Sequence, residues 1–299
     1  MYGIPAYNEL DPTPFLSITY MLLFGAMFGD LGQGAIIFLA GLLITKKMGN
    51  NMFGGILSRI GISSMIFGAL YGSFFGFEHV IPALLIRPFE NINTILISAI
   101  VIGIVLLIIS YIYGMINCYK RNDLEEGLFG KEGLAGFLLY MSLLMLGGGA
   151  IIKRTIVPTW LGVIIIILSI IAIIFRQPLT HLIKGIRPLH GEDVSGYYIE
   201  GTFMIMETLL SILSGTVSFI RVGAFAISHV GLFMAFESMA HMVGTPIGSA
   251  IVLIFGNILV IALDGLIVFI QGLRLQYYEL FSRYYTGDGV EFKPMKLNN

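Results

Sequence analysis

The sequence predicts an all-α membrane protein that crosses the bilayer many times. Of its 299 residues, 57% are hydrophobic and only 12% are charged, whereas a soluble globular domain carries about 25% charged residues. The apolar segments are long and continuous and do not alternate with polar residues, which favours helices over a β-barrel. The 37 glycines agree with this fold class, because small residues allow membrane helices to approach closely.

The chain divides into three parts. Residues 1–14 contain three prolines and have the composition of a linker, so the chain is expected to belong to a larger protein. Residues 15–285 form the predicted membrane domain, and residues 286–299 form a polar tail. The apolar segments, with ends accurate to a few residues, are 15–45, 55–80, 92–119, 132–152, 157–175, 200–243 and 246–285.

Two structures are possible for the first apolar segment, which contains 25-GAMFGDLGQG-34. One is a single long helix, and the other is a tight hairpin that turns at Gly29–Gly32. We favour the hairpin, which would give eight spans and a cytoplasmic amino terminus, although each arm is short for a crossing of about 20 residues. Asp30 and Gln33 in this turn are either structural or line a vestibule.

Charge and motifs exclude several classes of function. The net charge of −1 gives no electrostatic support for nucleic-acid binding. The single cysteine, Cys118, excludes an internal disulfide and a cysteine-based metal cluster. No phosphate-binding G-x-x-x-x-G-K-[ST] motif occurs, so this chain is not expected to hydrolyse ATP. We predict no cofactor.

The loop charges predict the orientation of the chain. Basic residues follow the first, third, fifth and last apolar segments, which places the carboxyl terminus in the cytoplasm if each later segment crosses once. Lys153 and Arg154 are exceptions. The longest polar loop, 176–201, is predicted to be an interfacial cytoplasmic segment or a docking surface for soluble partners.

Arg221 is the most informative residue of the sixth segment. It is the only formal charge within 208–236, and a permanent cation at the bilayer centre costs about 2.5–3.5 kcal/mol or more. Such a residue usually faces a partner or an aqueous cavity. Six residues at helical spacing are expected on the face that contains it, and His229 lies at their edge. The six are Glu207, Ser211, Ser214, Ser218, Arg221 and Ser228.

A second polar stripe lies on the last segment. Asn257, Asp264, Gln271 and Tyr278 recur every seven residues, and Arg274 follows Gln271 by three. Two helices would therefore each carry a polar seam at membrane depth. Alternatives remain for single members. The serines could be packing residues, Asp264 the structural partner of an arginine, His229 a core histidine, and Arg274 a side chain that snorkels to the interface.

Three segments resemble the membrane domain of the stator subunit of V/A-type rotary ATPases, called subunit a or subunit I. They are 11-DPTPFLSITYMLLFGAMFGDLGQG-34, 218-SFIRVGAFAISHVGL-232 and 263-LDGLIVFIQGLRLQYYELFSRYYTGDGVEFKP-294. The resemblance implies about eight transmembrane helices, the last two long and tilted, after a cytoplasmic domain that this chain lacks. It also implies two ion half-channels beside a proteolipid c-ring, a peripheral stalk and other ATPase subunits, and transport of H⁺ or Na⁺ across a prokaryotic cell membrane. The chain itself would not be catalytic.

The resemblance also implies roles for individual residues. Arg221 would be the arginine that couples ion transfer to rotation, and Arg274 a second cationic contact. Other members of the family can carry histidine at the position of Gln271, and an amide cannot titrate, so a proton-relay role there stays open. The predicted ion-translocation residues are Arg221, Arg274, Glu207, His229, Asp264, Gln271, Ser214, Ser218 and, at the non-cytoplasmic mouth, Glu237.

Two other functions compete with this one. A secondary transporter could use Arg221 to bind an anionic substrate, but such proteins often contain paired broken helices, and only one candidate break, at Gly29–Gly32, is visible. A purely structural membrane anchor for a stator would not need two polar seams.

Overall fold

A computed structural model describes residues 3–47, 49, 51–77, 80–152, 158–185, 194–287 and 289–290. The described residues form helices and two isolated β-bridges, which confirms the all-α prediction. The helices are α1 Thr13–Met27, α2 Leu31–Lys47, α3 Asn51–Tyr71, α4 Ile92–Arg121, α5 Leu134–Ile152, α6 Thr159–Ile174, α7 Arg176–Lys184, α8 Val194–Ser218, α9 Ile220–Val243, α10 Pro246–Leu259, α11 Gly265–Leu275 and α12 Ser282–Tyr284. Three π-helical turns occupy Glu125–Phe129, Val260–Asp264 and Gln276–Phe281.

Five helical runs within the described residues are long and apolar enough to span a membrane. The pair α6 and α7, bent by 75°, would make a sixth span. The two longest runs are the last two, with 48 and 39 residues, as expected. The predicted total of eight spans is not confirmed, and tilt stays a prediction. The five runs are Met52–Tyr71, Ile92–Arg121, Glu125–Gly149, Gly196–Val243 and Pro246–Tyr284.

The chain forms two compact units. The first unit comprises Met1–Pro12, Val105–Thr216 and Glu279–Asn299. The second unit comprises Thr13–Ile104 and Val217–Tyr278. Several residues that carried sequence predictions lie outside the described residues, namely Lys153, Arg154, positions 186–193 of the polar loop, and the tail from position 291 onward.

In the second unit the chain reverses direction at residues 28–30, between α1 and α2. Ser63 of α3 donates to the Met21 carbonyl at 2.6 Å, and Gly29 lies against Tyr71 eight residues further along α3, so α1 runs parallel to α3. Gly41 lies against the backbone of Ser58 and α2 runs antiparallel to α3. This reversal agrees with the hairpin alternative, with the turn slightly earlier than predicted.

Glycines bring α2 and α3 into close contact. An added Cβ on Gly41 would lie 2.5 Å from the Ser58 nitrogen, and one on Gly61 would lie 2.6 Å from the Phe38 nitrogen. Only residues without a Cβ allow backbones to approach this closely. The glycine content of the sequence therefore has a direct structural use here.

The last helical run packs against α9 and α1 within the second unit. Its π-helical turn Val260–Asp264 lies between α10 and α11. The Tyr20 hydroxyl of α1 donates to the Phe269 carbonyl at 3.1 Å, and an added Cβ on Gly256 would meet the Phe236 ring at 2.6 Å. These contacts hold the polar seam of the last helix against neighbouring helices.

In the first unit, Asn117 near the end of α4 joins the two ends of the described chain. Its Oδ1 accepts from the Leu10 nitrogen at 2.9 Å, and its Nδ2 donates to the Tyr284 carbonyl at 2.8 Å. An antiparallel bridge pairs Ile4 with Gly289. Burial raises the pKa of the Tyr285 hydroxyl, which donates to the Gly3 carbonyl at 2.7 Å.

Candidate functional site

His229 and Asp264, both predicted from the sequence, form a buried pair in the second unit. Nδ1 of His229 lies 2.7 Å from Oδ2 of Asp264, and the two side chains are 2% and 7% exposed. The Phe28 ring lies 4.5 Å from the imidazole ring. Asp264 ends a π-helical turn, a feature that often occurs at functional sites.

The second nitrogen of the His229 imidazole distinguishes this pair from a core histidine whose two nitrogens both have hydrogen-bond partners. Nε2 of His229 is buried and has no hydrogen-bond partner. A buried polar atom normally has a partner in the protein or in ordered water. A histidine held by a carboxylate at one nitrogen keeps the other nitrogen for a further hydrogen bond.

Other polar groups along the last helical run also face inward. Nε2 of Gln33 donates to Oδ1 of Asn257 at 3.0 Å, and Nε2 of Gln276 donates to Oγ1 of Thr19 at 2.6 Å. Oε1 of Gln33, Gln271 and Gln276 is buried without a partner. Three members of the predicted seam, Asn257, Asp264 and Gln271, therefore form a row with inward-facing polar atoms. Tyr278 and Arg274, predicted to belong to the same seam, are exposed.

Arg221 lies in the first turn of α9 and is half-buried. Its Nη2 donates to Oγ of Ser218 at 3.2 Å. A single turn residue, Phe219 in a right-handed helical conformation, separates α8 from α9 within the helical run Gly196–Val243. Phe219 is buried, and its ring lies against Gly103 of α4, where an added Cβ would meet it at 2.2 Å. This contact fixes the backbone two residues before the guanidinium.

The remaining predicted site residues are more accessible in the chain alone. Arg274, Ser214 and Glu207 are exposed, and Gln271, Ser218 and Glu237 are half-buried. Nζ of Lys131 lies 3.2 Å from Oε1 of Glu207, an ion pair that the sequence did not predict.

A polar cavity of about 180 Å³ in the first unit was missed by the sequence analysis. Arg283 lines it and is buried, with its guanidinium 4.7 Å from the centre of the Tyr111 ring and a hydrogen bond to the Tyr111 hydroxyl. In the sequence analysis Arg283 is one of the basic residues assigned to the end of the last apolar segment and has no other predicted role. The full lining is Lys131, Glu132, Glu207, Thr208, Ser211, Ser282 and Arg283.

Asp30 has a structural role. Its carboxylate is fully buried and accepts four hydrogen bonds, from the backbone nitrogens of Gln33, Phe75 and Gly76 and from the Ser73 hydroxyl. It caps the first turn of α2 and holds the loop after α3. Each carboxylate oxygen of Asp30 accepts two hydrogen bonds from the protein itself. This geometry favours the structural role of Asp30 over a role in lining a vestibule.

Comparison with known proteins identifies relatives of one kind. The sequence pattern of the V-type ATPase 116kDa subunit family matches residues 1–80. A-type ATP synthase subunit I of Saccharolobus solfataricus is 31% identical over 368 residues, covering 99% of this chain and 52% of the relative. The subunit I of Methanocaldococcus jannaschii is 29% identical over 341 residues, covering 100% of this chain and 46% of the relative.

A third relative agrees with these two. Subunit I of Pyrococcus horikoshii is 27% identical over 312 residues, covering 98% of this chain and 44% of the relative. The chain thus spans about half the length of the curated relatives it matches. It is an all-α integral membrane protein that belongs to the V-type ATPase 116 kDa subunit family.

Proposed function

We propose that this chain is the membrane part of a stator subunit of an A/V-type rotary ATPase. It would form two half-channels for H⁺ or Na⁺ beside a ring of proteolipids, and it would couple ion transfer to rotation of that ring. The main observation in support is that Arg221, at the start of α9, is half-buried and that His229, two turns later on the same helix, forms a buried pair with Asp264. The names of the relatives support the class of machine.

Arg221 would act on a carboxylate of the rotating ring. A fixed cation in a low-dielectric environment favours the charged form of an approaching carboxylate, so the bound ion is released there. A lone carboxylate facing lipid is costly, so the ring turns only when the ion site is refilled. Arg221 would also repel cations and so prevent a direct leak between the half-channels.

His229 and Asp264 would line one half-channel. In proton transport, Nε2 of His229 would accept a proton from water while Nδ1–H remains hydrogen-bonded to Asp264, and the same nitrogen would then release the proton onward. Gln271 cannot titrate, so its buried carbonyl oxygen would hold a water molecule in this path. In sodium transport, the carbonyl and carboxylate oxygens of the same row would be the ligands.

The polar cavity of the first unit would serve the other half-channel. Its volume of about 180 Å³ has room for several water molecules, and it contains the carboxylates of Glu132 and Glu207. Lys131 and Arg283 line the same cavity and would balance these charges. Ser211, which lines the cavity, is also a member of the polar stripe predicted from the sequence.

The central test replaces Arg221 in the assembled complex, reconstituted into liposomes. Arg221→Lys should reduce ATP-driven ion uptake by about a hundredfold or more, because a point charge on a flexible stem does not reproduce the planar fork of the guanidinium. Assembly should be unaffected, as checked by the subunits that co-purify. Uptake should be measured with and without sodium to identify the ion.

Arg59→Lys is the matched control, because Arg59 is an exposed arginine of α3. It should leave uptake unchanged. Normal pumping by Arg221→Lys would refute the proposal, and accumulation of an anionic substrate by the isolated chain would support the secondary transporter instead.

A further inference from the structure

An apolar groove in the second unit lies beside α2, α3 and the last helical run. Its volume is about 440 Å³, and all twelve residues that line it are apolar, including Ile36, Ala40, Phe53, Leu57 and Leu266. Several of these side chains are largely exposed, among them Phe53 at 47% and Leu266 at 57%. The lining offers no side-chain hydrogen-bond group, so its occupant must present hydrocarbon.

One end of the groove carries a cation. Lys47 follows Ala40 by seven residues and Ile36 by eleven, which places it on the groove-facing side of α2, about 10 Å beyond Ala40. Phe53 of α3 lies near this end, because Gly54 contacts Thr45. Lys46 is turned about 100° away from Lys47. Both lysines are exposed, and neither forms an ion pair within the described residues.

We propose that this groove binds one hydrocarbon chain of an anionic polar lipid, whose phosphate is held by Lys47. The combination of a wholly apolar groove with a cation at one end matches an amphiphile with a negatively charged headgroup. The proposal is independent of the ion-transport function, since it needs only that the chain is embedded in a membrane.

The groove is short along α3. The lining residues of α3 extend from Phe53 to Ile60, a distance of about 10 Å. An α-helix with its side chains is about 10 Å in diameter, as wide as this stretch is long. A single hydrocarbon chain is thinner than a helix and needs no such width.

The test measures lipid binding to the delipidated protein, purified with the subunits that accompany it. Phosphatidylglycerol and phosphatidylcholine with identical hydrocarbon chains are titrated, and bound lipid per chain is counted by native mass spectrometry. We expect one tighter phosphatidylglycerol site per chain. Lys47→Gln should weaken that site about fivefold, the effect expected for one lysine near an anionic headgroup.

Lys46→Gln is the matched control, because it removes the same charge from the neighbouring position on another face of α2. It should change the affinity less than twofold. Ala40→Phe should reduce the binding of both lipids by filling the groove. If that variant fails to fold, the two lysine variants still test the proposal, because both substitutions are at exposed positions.

Three results would overturn the proposal. One is equal affinity of the parent protein for the two lipids, and another is an equal effect of the Lys46 and Lys47 variants. The third is a structure of the purified assembly in which a helix of another subunit, or of a second copy of this chain, fills the groove. Since the readout is binding, a failure here leaves the transport proposal unaffected, and the reverse also holds.

Discussion

Two buried aspartates of the second unit differ in how their carboxylates are satisfied. Asp30 accepts hydrogen bonds from four donors, three of them backbone nitrogens. Asp264 is paired with one imidazole, and the far nitrogen of that imidazole has no partner. Burial alone is therefore a poor guide to function in a membrane domain. A saturated carboxylate fixes the backbone around it, whereas the carboxylate of Asp264 orients a single side chain, that of His229.

The largest expected loss of stability follows from replacing Asp30. Asp30→Ala should leave three backbone nitrogens and a hydroxyl without their acceptor, which destabilises the protein by at least about 3 kcal/mol. The measurement is the unfolding temperature and yield of the detergent-solubilised protein. Asp30→Asn keeps one acceptor oxygen and should fall between the parent and the alanine variant. An unfolding temperature equal to that of the parent would contradict the structural role.

Unlike the Asp30 variants, Asp264→Asn should affect ion transport more than stability. The amide keeps the volume of the side chain, so the unfolding temperature should change little, but ATP-driven ion uptake should slow by about tenfold to a hundredfold because the charge beside His229 is lost. Uptake is measured across a pH series and a sodium series. Unchanged rates throughout both series would count against a channel role for this pair.

The smallest expected change in stability comes from removing one of the four hydrogen-bond donors to Asp30. Ser73→Ala deletes the hydroxyl that donates to Oδ2 of Asp30 at 2.7 Å, so we expect a loss of about 1 kcal/mol in stability with normal transport. Ser238→Ala is the control, since Ser238 is exposed and donates only to the Met234 carbonyl of its own helix. It should stay within about 0.5 kcal/mol of the parent. Equal losses in the two variants would mean that the hydrogen bond from Ser73 to Asp30 stabilises the protein no more than an ordinary surface hydrogen bond.

Sequence patterns predicted the features that depend on periodicity within one helix. The spacing of seven residues between Asn257, Asp264 and Gln271 places them near one face, and the contacts of Asn257 and Asp264 with Gln33 and His229 agree with that seam. Spacing within a helix says nothing about which neighbouring helix supplies the partner. For this reason both polar seams were predicted, but the bond between His229 and Asp264 was not.

Features at the ends of segments were missed. Glu132 and Arg283 lie where apolar runs begin or end, and a charge at such a position is ordinarily solvated, so nothing in the pattern indicated a shared cavity. The turn at Phe219 was also missed because no proline marks it.

The amide of Asn117 has a mechanical consequence. It holds Leu10 on one side and Tyr284 on the other, while Arg121 of the same helix contacts both Glu9 and Thr286. A pull on the amino-terminal residues would therefore load α4 and the final helix together, with the hydrogen bonds resisting in parallel. A twisting force on residues 3–12 would be shared between these two helices before it could unwind α1.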